Sequence, residues 1–137
     1  MPGIILWDES CSVGLDELDE AHRHLFDIGN RMIRAVAERR GETEAREVIE
    51  EMIEYAERHF AREEVLMQAS RYPGYAEHRT IHERLMNEIR LIKSQFIAGN
   101  LNSSLVAAFL REWMVDHIKK TDKDYSAFVG SLAAPPG

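Results

Sequence analysis

A chain of 137 residues is long enough to bury one proper core and too short for two. Its 17 basic and 24 acidic residues leave a net charge of −7, which repels nucleic-acid phosphates and anionic lipid heads and argues against both as partners. The lone Cys11 excludes an internal disulfide and a cysteine-rich metal site, and no apolar run approaches a membrane span, so the expected setting is the cytoplasm.

Four segments repeat their apolar residues at steps of three and four, and none alternates as a strand would. The first, about 16–40, aligns Leu18, His22, Leu25, Phe26, Gly29, Met32, Ile33 and Val36, and Gly41 stands where a C-cap belongs. The second, about 44–70, aligns Ile49, Met52, Ile53, Ala56, His59, Phe60, Glu63 and Met67 before Pro73-Gly74 breaks it. The third, about 75–98, carries Tyr75, His78, His82, Leu85, Ile89, Ile92 and Phe96 and stops at Gly99-Asn100. The fourth opens at Asn102 or Ser103, either a good N-cap, and runs to about 128 through Val106, Phe109, Leu110, Trp113, His117 and Ile118. Helices of roughly 25 residues, each about 37 Å long, with short connections predict an all-α fold. The expected architecture is an antiparallel up-down-up-down four-helix bundle over 16–128. An extended N-terminal arm at 1–15 and a tail at 129–137 complete one domain, 1–137.

The histidines carry the chemistry. Five of the six (His22, His59, His78, His82 and His117) fall on the apolar stripes, and only His24 points elsewhere. Glu63 follows His59 by four residues, so both leave one helix face, and His78 and His82 repeat that spacing. One buried histidine satisfied by hydrogen bonds is ordinary. Five imidazoles and a carboxylate in so small a core are not, because each orphaned polar atom costs about 1–3 kcal/mol and a buried carboxylate needs a cation or a shifted pKa. A bound metal supplies that cation, and imidazole suits iron, zinc and copper. Glu64, about 100° around the helix from Glu63, is expected to be solvated or to support a ligand.

The motifs stand in a familiar order. Trp7-Asp8-Glu9-Ser10 precedes Leu18-Asp19-Glu20-Ala21-His22; His59-Phe60-Ala61-Arg62-Glu63-Glu64 forms an HxxxE element; His78 to His82, after Tyr72-Pro73, forms HxxxH; and Trp113 leads to His117-Ile118 and then Asp122, an HxxxxD element. Together they resemble the hemerythrin family over nearly the whole chain. The resemblance implies two Fe ions, a di-iron centre bridged by hydroxide or oxide, with seven ligands: His22, His59, Glu63, His78, His82, His117 and Asp122. By the same resemblance Glu63 and Asp122 bridge the irons, His78, His82 and His117 complete one of them, and His22 and His59 serve the other. Asp122 enters through the resemblance alone, since it lies about 140° around an ideal helix from His117.

Counting positions over that ligand set leaves one open, on the iron with two histidines. The implied function is reversible dioxygen binding, as carrier, store or sensor, and not an enzymatic one. The alternatives are a di-iron enzyme (an oxidase, a peroxidase or a nitric-oxide-handling protein) and a dioxygen-sensing module acting through a separate, unidentified protein partner. Carboxylate-rich ligand sets accompany oxidation in the ferritin-like proteins; a histidine-rich set favours binding. Leu25, Phe26, Phe60, Trp113, Met114 and Ile118 are expected to wall the open position. Met114 stands where the family commonly has a Leu, a more flexible side chain at that wall.

Overall fold

The computed structural model describes Ser12, residues 16–116, 124, 125 and 127–129. Four helices follow one another: α1 (Asp16–Ala37), α2 (Gly41–Ala69), α3 (Tyr75–Ile97) and α4 (Ser103–Asp116). Connections of three, five and five residues leave each helix antiparallel to the one before it. The main packing is of α1 against α2 and α4, and of α2 against α3. The four-helix bundle expected from periodicity is therefore the fold. Residues 124, 125 and 127–129 are helical, whereas the expected passage of the fourth helix through 117–123 lies outside the described residues, as does the N-terminal arm apart from Ser12. Among the described residues no helix is long and apolar enough to cross a membrane.

The junction of α1 and α2 is built differently from the expectation, whereas α3 stops at Gly99-Asn100 and α4 opens on Asn102 as expected. Gly41 does not cap α1; it is the first residue of α2 and is buried. A Cβ there would lie 2.5 Å from Ser103 Oγ, 2.7 Å from Ser103 Cβ and 2.9 Å from a Val36 methyl. The glycine is there because the starts of α2 and α4 touch. The left-handed turn after α1 falls to Arg39 at φ 60°, where the Arg39 amide donates to Val36 O and the Arg40 amide to Ala35 O, the Schellman pattern. Arg71, at φ 56°, does the same after α2, with its amide on Gln68 O and that of Tyr72 on Met67 O. After α3 that place is taken by a glycine, Gly99 at φ 82°. Asn102 caps α4 by accepting the Leu105 amide at 2.9 Å, while the Ser103 amide donates to Glu42 Oε1 at 2.7 Å.

The interior divides along the helix axes. Near one end, Ile33, Ala45, Val48, Ile49, Val106, Ala107 and Leu110 form a fully apolar core. Toward the other end α1, α2 and α3 bring polar side chains inward.

Candidate metal centre

Three helices converge on one carboxylate. His22 comes from α1, His59 and Glu63 from α2, and His78 and His82 from α3; all five are buried, Glu63 and His22 to 0 % exposure. Their delivery follows from helical spacing, since residues four apart stand on one face of α2 and again of α3. Glu63 Oε1 lies 2.6 Å from His78 Nε2 and 3.2 Å from His82 Nε2. Glu63 Oε2 lies 3.2 Å from His59 Nε2 and 3.8 Å from His22 Nε2. Each carboxylate oxygen thus faces its own histidine pair, and within each pair the rings meet edge to face at 4.6 and 4.5 Å between centroids.

Two trios result, His22–His59–Glu63 and Glu63–His78–His82, each with its ligand atoms within 4.8 Å of one another. Burial pushes the Glu63 carboxyl up, but the imidazoles of His22, His59, His78 and His82 together hold it well below the usual carboxylate range. The side chain is therefore an anion in a dry interior, surrounded by nitrogen donors on two sides. That donor set, imidazole nitrogens and a carboxylate oxygen at each of two points, fits two transition-metal ions, iron among them.

The surroundings are partly aromatic. The Phe60 ring stacks on that of His82 at 4.1 Å and 4°. Trp113 lies 6.0 Å beyond Phe60, with its indole N–H donating to Leu85 O at 3.0 Å. Leu25, Phe26, Phe60, Trp113 and Met114 all belong to the same buried core. Met114 reaches across to α1, where a Cβ on Gly29 would meet its Sδ at 2.9 Å and its terminal methyl closer still. The smallness of Gly29 is what admits the methionine.

Of the seven residues expected as ligands, five are gathered here; His117 and Asp122 lie outside the described residues, as does Ile118 of the expected wall. His24 is exposed and lies over the Tyr55 ring at 4.1 Å, as its position on α1 implied. Glu64 is not merely solvated: its Oε2 accepts a hydrogen bond from His82 Nδ1 at 3.0 Å. Asp19 is a buried residue that the sequence stripe passed over, accepting from Ser12 Oγ at 2.6 Å. Its signal was available, three positions before His22 on the same face.

Fold and donor set together define a metal-binding helical bundle. Residues 13–129 match the hemerythrin HHE cation binding domain. Over 124 residues the sequence is 31% identical to a bacteriohemerythrin from Stenotrophomonas maltophilia, spanning 90% of this chain and 80% of that one. It is 28% identical over 125 residues to a myohemerythrin from Sipunculus nudus, spanning 91% and 93%. A crystal structure of wild-type hemerythrin superposes with a TM-score of 0.78 at 27% identity, covering 91% of this chain and 97% of that one. The chain belongs to the hemerythrin family. Membership carries dioxygen binding at a di-iron site, and the buried histidine–glutamate cluster fits such a site. Members of this family carry or store dioxygen.

Proposed function

We propose that this chain, as one domain acting in the cytoplasm, binds dioxygen reversibly without turning it over, at two iron ions held by His22, His59, Glu63, His78, His82, His117 and Asp122. The observation that carries the reading is the division of Glu63 between two histidine pairs, one per oxygen, the arrangement a bridging carboxylate requires. Two ferrous ions supply the electrons and the open coordination position that dioxygen needs.

The protein's own part is to hold, orient and keep dry. With His117 joining His78 and His82, the Glu63 Oε1 side would have more protein donors than His22 and His59 offer on the Oε2 side, and dioxygen would bind on the His22–His59 side. Leu25, Phe26, Trp113 and Met114 offer no acid or base, and an apolar wall of that kind withholds the water and protons that would make binding irreversible. A histidine-rich set with two carboxylates favours the reduced pair and thus binding over substrate oxidation.

The test is an optical spectrum of the anaerobically iron-loaded protein before air, in air and after oxygen is stripped, with iron counted per chain. The expected result is two irons and an absorption band that comes and goes with oxygen. Two irons that oxidise once and do not return would replace reversible binding with a di-iron enzyme or a one-shot sensor. A chain that takes up no iron would end the reading.

A further inference from the structure

His82 is gripped on two sides that have nothing to do with Glu63. Phe60 covers one face of its ring, nearly parallel at 4.1 Å. Glu64 takes its outer nitrogen, Oε2 to Nδ1 at 3.0 Å. A carboxylate only accepts, so Nδ1 carries the hydrogen; in the neutral ring that a metal ligand requires, Nε2 then presents its lone pair inward, on the side where Glu63 Oε1 stands 3.2 Å away. Glu64 itself is anchored from outside: Arg79 Nε lies 3.8 Å from its other oxygen and 3.5 Å from Glu83. Its side chain, 21% exposed, stands between the buried cluster and an open groove of about 730 Å³ between α2 and α3, lined in part by Gln68, Tyr75, Arg79 and Asn87.

We infer that Glu64 is a positioning residue for the metal bound by Glu63, His78 and His82. It selects the His82 tautomer whose inner nitrogen can ligate, locks the ring against Phe60 and, being anionic, makes that imidazole a stronger donor. The inference rests on the two-metal reading above. The adjacent carboxylates Glu63 and Glu64 then divide the work: one lies inside and is shared by both metal positions, the other lies at the surface and acts on one position through its histidine.

The test uses the full iron-loaded chain and measures release of iron to an excess of a ferrous chelator, alongside the melting temperature. In Glu64→Ala one of the two irons should leave about 10–100-fold faster than in the parent chain. Glu64→Gln keeps an oxygen that accepts the Nδ1 hydrogen and should recover most of the loss; Arg79→Ala should act in the same direction and more weakly. Unchanged release of both irons from Glu64→Ala would overturn the inference and leave the two-metal reading standing. Faster release of both irons in step with a fallen melting temperature would also overturn it, because Glu64 would then be a packing residue. A parent chain that never holds two irons would sink the two-metal reading, and this inference with it.

Discussion

The two halves of the bundle are made from shared helices and obey opposite rules. Near one end the interior is Ile33, Val48, Ile49, Val106 and Leu110, side chains that gain by leaving water and ask nothing of their neighbours but shape. Near the other, His22, His59, Glu63, His78 and His82 are buried with polar atoms that must be answered, so that half depends on a cation for what the first half does unaided. Stability and function reside in different halves: the apolar half holds the helices in register, and the polar half uses that register to aim ligands.

The largest expected effect belongs to Glu63→Ala. It removes the one side chain common to both trios, and two-iron loading should be lost while the helical circular dichroism persists; a variant that still counts two irons per chain would refute the shared ligand. Next comes His59→Ala, which should impair oxygen binding before it impairs total iron, since it strips the side with fewer donors. Oxygen-dependent absorption retained at full amplitude would move the open position to the other side.

Leu110→Ala probes the apolar half. It should lower unfolding free energy by about 2–5 kcal/mol in iron-loaded and iron-free protein alike, with the iron count unchanged. Loss of iron in that variant would mean that the halves are not separable. Gly41→Ala forces a Cβ against Ser103 and Val36 and should cost roughly 1–3 kcal/mol, read from denaturant midpoints. The smallest effect is a gain. Arg39→Gly relieves a left-handed residue at about 1–2 kcal/mol, partly offset by the greater freedom of glycine in the unfolded chain. A net rise of about 0.5–1 kcal/mol is expected, and a fall would show that the Arg39 side chain matters more than its backbone.

Much of this was legible before any coordinates. Period-three-and-four stripes specify helices because only one face of each is buried, and a histidine on such a stripe can only point inward, which is why His22, His59, His78 and His82 were found together with Glu63. The helix ends were less legible. Glycine is the residue that adopts positive φ most easily, yet Arg39 and Arg71 take that conformation, held by the same pair of amide bonds, while Gly41 serves close packing. Local chemistry cannot separate a glycine needed for its φ from one needed for its lack of a side chain, because the second requirement is set by another helix. Glu64 stayed open between solvent and a supporting role for a related reason: a residue a quarter-turn off the buried face finds solvent or a partner depending on the neighbouring helix, and here α3 brings His82 within reach. Asp122 came from family likeness rather than from periodicity.

The sharing of Glu63 has a thermodynamic consequence. On the proposed ligand set the two metal positions cannot be independent sites, since whichever ion arrives first neutralises and orients the carboxylate that the second must use. Any factor by which the first ion alters the affinity for the second must equal the factor by which the second alters the affinity for the first. The half-loaded protein is therefore a distinct species, with its own population and its own affinity for the remaining ion, and a titration with iron should be fitted with a linkage constant instead of two separate equilibria.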